Sequence, residues 1–177
     1  NGISFFFGEN KMSKAVNLKL YRVDDSYLDY LRQVDSRVPI NKDSGKARPF
    51  VGILHFVNGR EYVAPLSSQL TKARTDFKIL LHNEHKAMDE HKATVRFAYM
   101  FPVNKKVIEE IDFTVERVAD ANYTALLLKE INYINANEER VHKIINDTYI
   151  FRVTKAHGYD KFCCDFLKLE QALDSYK

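Results

Sequence analysis

Two apolar runs meet at Asn58-Gly59 in the segment PFVGILHFVNGREYVAPL (residues 49–66), and that dipeptide leaves the segment few options. Asn-Gly tolerates the positive φ angles of a type I′ turn, whose twist matches that of two antiparallel strands, so the spacing predicts a β-hairpin. A hairpin brings its outer ends together. The basic stretch KARP (46–49) ahead of the first strand and SSQLTKAR (67–74) after the second are therefore expected side by side, with cations facing the paired hydroxyls of Ser67 and Ser68.

Around the hairpin, NLKLYRV (17–23) alternates as a strand. DDSYLDYLRQV (24–34) follows with acidic and hydroxyl caps and Tyr27, Leu28, Leu31 and Val34 at helical spacing. SRVPINKDSGKAR (36–48) reads as a loop carrying Arg37, Lys42, Lys46 and Arg48 against Asp43. DFKILL (76–81) and ATVRFAYMFPV (93–103) continue as strands, separated by a polar excursion over 82–92. Beyond Pro102 the apolar period shifts to that of helices, in NYTALLLKEINYIN, EERVHKIINDTYIFRVT and, after Gly158, DKFCCDFLKLEQALDSY. A sheet followed by two or three helices is an α+β arrangement. One domain over residues 17–177 is expected. Residues 1–16 are expected to be a leader or expression-derived segment, since Gly8-Glu9-Asn10-Lys11 fits translation of a ribosome-binding sequence before Met12.

Charge narrows the partner. Residues 1–106 hold 18 Lys and Arg against 11 Asp and Glu, whereas residues 107–177 hold 9 against 13. A basic front half and an acidic back half predict a polyanion docking on one side. No apolar run reaches the roughly 20 residues of a membrane helix, so no membrane is expected. Cys163 and Cys164, the only cysteines, are adjacent and provide no disulfide framework, which fits a reducing cytoplasm.

The Ser67, Ser68, Arg48, Lys46 and Lys72 constellation suits phosphodiester chemistry. Cations offset charge at the developing phosphorane, hydroxyls orient the phosphate, and RNA brings its own 2′-OH nucleophile, so no metal or cofactor is obligatory. None of these groups has an ordinary pKa near 7, which leaves the proton acceptor unassigned. A solvated strand end accounts for the same residues without chemistry. HNEHKAMDEHK (82–92) offers His82, His85 and His91, but its spacing matches no zinc motif and a polar loop explains it as well. There is no Gly-x-Ser-x-Gly elbow and no phosphate-cradling glycine loop. A general base working near neutrality would most naturally be a histidine, which keeps His55 in view, although its place within a strand points to a structural role. Tyr27, at a core spacing, is also a candidate to stack on a base.

LYRVDDSYLDYLRQVDSRVP, RPFVGIL, YVAPLSS and LLLKEINYINAN, in that order, resemble the type III toxin–antitoxin endoribonucleases, the ToxN and AbiQ family, with the AbiQ branch the nearer likeness. The resemblance spans nearly all of residues 17–176. It implies a compact, strongly twisted antiparallel sheet with surrounding helices, similar to the MazF and Kid toxins. It also implies a metal-independent endoribonuclease that leaves 2′,3′-cyclic phosphate ends. Such an enzyme is held inactive by a tandem-repeat RNA antitoxin that it processes, and it is released during phage infection to cut phage and host transcripts. RNA-bridged oligomers occur in the family. The resemblance assigns catalysis to Ser67, Ser68, Arg48 and Lys72, the last across a longer spacing than usual. Lys42, Lys46, Arg37, Arg74 and Tyr27 are the expected RNA-binding residues. A non-catalytic RNA-binding module using the same basic loop is the alternative.

Overall fold

The computed structural model describes residues 17–43, 46–56 and 59–177, with the side chains of 42, 43, 46 and 53–56 outside that description. The expected leader over 1–16, the side chains of Lys42, Lys46 and His55, and Asn58 of the turn lie outside the described residues.

The hairpin is present. β4 (Phe50–Phe56) and β5 (Arg60–Ser67) pair antiparallel from Phe50 opposite Pro65 to Phe56 opposite Arg60, and Gly59 takes φ +74° in the turn. β1 (Lys19–Val23) lies between β4 and β9 (Ile108–Glu110), both antiparallel to it. With β6 (Asp76–Leu81) and β7 (Glu90–Arg96), the strand order is β6-β7-β5-β4-β1-β9.

β5 is long enough to use two partners on its other edge. Glu61 to Val63 pair with β8 (Phe101–Val103), and Leu66 and Ser67 pair with β7 (Glu90–Arg96), which in turn pairs with β6 (Asp76–Leu81). The strand expected over 93–103 is therefore two strands. A 3-10 turn at Phe97–Tyr99 separates them, with Phe97 fully buried where it breaks the extended run. The polar excursion is shorter than expected, because β7 begins at Glu90. A two-stranded ladder of β2 (Lys42–Asp43) and β3 (Lys46–Ala47) occupies part of the segment read as a loop.

Among the described residues, five longer helices and one short turn surround the sheet: α1 (Asp25–Val34), α2 (Phe113–Ala119), α3 (Ala121–Ala136), α4 (Glu138–Val153), α5 (Tyr159–Phe162) and α6 (Phe166–Ser175). Asp24, Asp112, Asp120 and Asp165 cap α1, α2, α3 and α6 by accepting from backbone N–H groups of the first turn, satisfying donors that no helix can pair internally. α2 shows no buried residue, so the apolar periodicity that reveals a helix is missing there. The last expected helix breaks at Cys163 and Cys164, both fully buried; the Cys164 N–H donates to Ala98 O at 2.8 Å, and Arg152 Nε donates to Cys164 O at 2.9 Å.

Phenyl and phenol rings fill the core. Tyr27, Tyr62, Phe50, Phe77, Phe97, Phe101 and Phe166 are among its largest fully buried side chains. The N-terminal edge is tied down from far along the chain. The Leu18 N–H donates to Asn135 Oδ1 at 2.8 Å, and Asn135 Nδ2 donates back to Leu18 O at 3.0 Å. No described helix is long and apolar enough to cross a membrane.

Candidate active site

The register of the hairpin decides where the hydroxyls go. Phe50 opposite Pro65, and the Leu66 N–H donating to Pro49 O at 3.1 Å, bring the residues just before β4 beside those at the end of β5. As a result Arg48, Ser67 and Ser68 line one cavity of about 210 Å³.

The two serines differ. Ser67 is buried, still within the ladder opposite Thr94, and its Oγ accepts from the Gln69 N–H at 3.1 Å, which turns the chain out of the sheet. Ser68 is exposed at that turn. Arg48 is half-buried; its backbone N–H donates to Asn41 O at 2.6 Å and its Nε to Ile40 O at 3.3 Å, which anchors its loop.

Two further groups complete the walls, and the sequence pattern singled out neither. Lys92 reaches the cavity because β7 pairs with the end of β5. Tyr123, Leu126, Leu127 and Glu130 of α3 form the facing wall, at the spacing of one helix face. Glu130 is only 4% exposed, and burial alone pushes its carboxyl up to about 7. Only sheet pairing and helix docking, both non-local, place Lys92 and Glu130 beside the serines.

Lys72 is not among the groups lining this cavity. The Asp76 carboxylate accepts from Thr71 Oγ1 and from the Ala73 N–H, which folds the loop after Ser68 onto the start of β6. Lys72 and Arg74 line a separate groove with Lys78, Arg140 and Lys143, a cluster of five cations against Asp76 and Asp147. Arg140 and Lys143 come from α4, in the half of the chain whose net charge is acidic.

Arg37 and Tyr27 are occupied in the fold. Arg37 Nε donates to Asp35 Oδ1 at 2.8 Å and its Nη2 to Oδ2 at 2.9 Å, although its side chain remains about one-third exposed. Tyr27, expected to offer a face to a base, is instead fully buried. Its hydroxyl donates to Pro102 O at 2.7 Å, and its ring meets Tyr176 edge-on at 4.9 Å. A half-buried aromatic at the site is Tyr123.

The three histidines of the polar excursion do not converge. His82 pairs with Asp89 at 3.3 Å, His91 Nε2 lies 3.0 Å from Thr94 Oγ1, and among the described residues no three His, Cys, Asp or Glu side chains are grouped as metal ligands.

The family model "Toxin ToxN, type III toxin-antitoxin system" matches residues 19–174. The chain is 34% identical to the endoribonuclease ToxN of Bacillus thuringiensis subsp. kurstaki over 175 residues, covering 94% of this chain and 88% of that protein. It is 24% identical to the endoribonuclease ToxN of Pectobacterium atrosepticum, covering 87% and 91%. A solved structure from a type III system, in which a non-coding RNA pseudoknot selectively inhibits the toxin, superposes with a TM-score of 0.81 at 32% identity over 91% of this chain and 98% of that one. AbiQ, a lactococcal anti-phage endoribonuclease of the type III class, superposes with a TM-score of 0.76 at 22% identity over the same shares. At that identity the likeness to AbiQ is one of fold, and the chain stands nearer the Bacillus ToxN.

Proposed function

The chain belongs to the ToxN family of type III toxin–antitoxin toxins, and from that membership we propose that it is an endoribonuclease acting at the Ser67–Ser68 cavity. The observation that carries the assignment is that Ser67, Ser68, Arg48 and Lys92 line the same cavity. Cleavage proceeds by attack of the 2′-oxygen on the adjacent phosphorus. Arg48 and Lys92 stabilise the charge that builds on the phosphorane, Ser68 with Ser67 orients the scissile phosphate, and Tyr123 offers a ring to a flanking base. Because the RNA supplies its own nucleophile, the reaction needs no metal and ends in a 2′,3′-cyclic phosphate and a 5′-hydroxyl.

The same reading makes RNA the regulatory partner. Relatives are inhibited by a non-coding RNA pseudoknot or act against phage. For this chain, a tandem-repeat RNA antitoxin seated in the Lys72–Lys143 groove would close the cavity. Its loss during phage infection would release cleavage of phage and host transcripts in the cytoplasm. RNA bridging between copies, and kinship of the sheet with the MazF and Kid toxins, belong to this proposal. Residues 17–177 would act as its single domain.

The test is incubation of the protein with a labelled tandem-repeat RNA in EDTA, wild type beside Ser68→Ala, with analysis of product ends. Cleavage by wild type alone, ending in a cyclic phosphate, supports the reading. Tight binding without cleavage by either protein overturns it in favour of a non-catalytic RNA-binding module.

A further inference from the structure

Folding does not account for Glu130. Its buried neighbours on the helix are Leu127, Ile131, Ile134 and Thr124, whose hydroxyl donates to Asp120 O, whereas Glu130 has no hydrogen-bond or ion-pair partner among the described residues. A buried, unpartnered carboxyl costs stability that an apolar side chain of similar size would not. Its surroundings are instead those of the cavity: Ser67 and Ser68 at the end of β5, Arg48 ahead of β4, Lys92 on β7 and Tyr123 on its own helix.

The neighbouring elements offer it no partner. On β6 the Asp76 carboxylate is taken by Thr71 and Ala73, while Lys78 lines the other groove. On α2 Glu116 pairs with Arg22, and on α4 Glu138 pairs with His142 while Arg140 lies over the Phe77 ring. On β7 the Lys92 ammonium donates to the Glu90 carboxylate, and among the described residues no ion pair joins Arg117 of α2 to Glu130.

We propose, resting on the endoribonuclease reading above, that Glu130 is the proton acceptor of the cleavage step. Its carboxylate takes the proton of the attacking 2′-hydroxyl as the O2′–P bond forms. The P–O5′ bond breaks, and the departing O5′ takes a proton from the Lys92 ammonium, which recovers one from solvent while Glu130 releases the proton it took. Burial brings the carboxyl to about 7, so the group is divided between its two forms near neutrality, where a general base works best. Only the ionised form accepts a proton, so the rate rises with pH up to about 7 and levels off above it. A bound phosphate raises that midpoint, and Arg48 and Lys92 oppose the rise.

The experiment is single-turnover cleavage of a labelled RNA pool of randomised sequence, in EDTA, from pH 5 to 9, with wild type, Glu130→Gln and Glu130→Asp. Binding to a fully 2′-O-methylated pool, which cannot be cleaved, is measured in parallel. Glu130→Gln is expected to bind the methylated pool as wild type does, to cleave about 10²- to 10⁴-fold more slowly, and to lose the rise in rate below pH 7. Glu130→Asp, which keeps the carboxyl, should keep the rise at a lower rate. Wild-type cleavage matched by Glu130→Gln with the same pH profile overturns the proton-acceptor assignment alone. A Glu130→Gln protein that fails to fold, beside a Glu130→Asp protein whose rate has no dependence on pH below 7, also overturns it. Wild type that binds the methylated pool yet cleaves nothing overturns the endoribonuclease reading, and this assignment with it.

Discussion

Ser67 stands directly opposite Thr94 across the β5–β7 ladder, and the Thr94 hydroxyl lies 3.0 Å from His91 Nε2. β7 joins β5 only at Leu66 and Ser67, so this short stretch of pairing is what delivers Lys92 to the cavity.

The two lysines should therefore separate kinetically. Lys92→Ala is expected to lower single-turnover cleavage by about 10²-fold or more while leaving RNA affinity nearly intact, as loss of a group aimed at transition-state charge does. Lys72→Ala should weaken binding and reduce the slope of log affinity against log salt by about 1, with little change in rate at saturating RNA. Filter binding across a salt series beside single-turnover assays checks both.

Asp35 gives the fold a definable acid limit. Burial pushes its carboxyl up, but the Arg37 side chain, the Asp165 N–H at 2.6 Å and the Arg37 N–H outweigh that and hold it below the ordinary value of 3.8. The folded carboxylate is thus favoured above pH 4, and its contribution is lost as pH falls below that. Asp35→Asn should cost about 2 kcal/mol at pH 7, toward the low end for an ion pair because Arg37 is partly solvated. The gap should shrink by pH 3, as read from urea midpoints at the two pH values.

Glu170 joins three elements through one carboxylate. It accepts from the buried Tyr62 hydroxyl of β5 at 2.5 Å and from the Tyr149 hydroxyl of α4 at 2.9 Å. Glu170→Ala removes the acceptor that both hydroxyls share and should cost about 1–3 kcal/mol in denaturant unfolding, whereas Glu170→Gln, which retains an acceptor oxygen, should cost about 1 kcal/mol or less.

Gly52 is required by a neighbour rather than by its own backbone. A Cβ there would lie 2.2 Å from Cε2 of Tyr21, on the adjacent strand β1. Gly52→Ala should destabilise by about 1–3 kcal/mol through overpacking. In a Tyr21→Ala background the same change should cost almost nothing, which a double-mutant cycle measures.

The hairpin, β1, α1 and the two long helices were legible because each is written in local periodicity and turn chemistry. The adjacency of Arg48 to the serines followed from hairpin register alone. β9 and α2 were not legible: one is three residues long and the other buries nothing. Tyr27 illustrates a different limit, since helical spacing shows that a tyrosine faces inward but not that its hydroxyl ends on Pro102 O. Lys92 and Glu130 depended on pairings between distant segments, which no window of sequence displays.

The clasp between Leu18 and Asn135 joins residues 117 apart in the chain. At translation rates of about 5–20 residues per second, the first strand emerges on the order of ten seconds before the residue that fastens it. The α3 wall of the cavity, from Tyr123 to Glu130, arrives in the same late stretch. A ribosome midway through this message thus carries a basic hairpin able to touch RNA but lacking the far side of its cleft. The cleft therefore gains its far wall, and the first strand its clasp, only once α3 has been made.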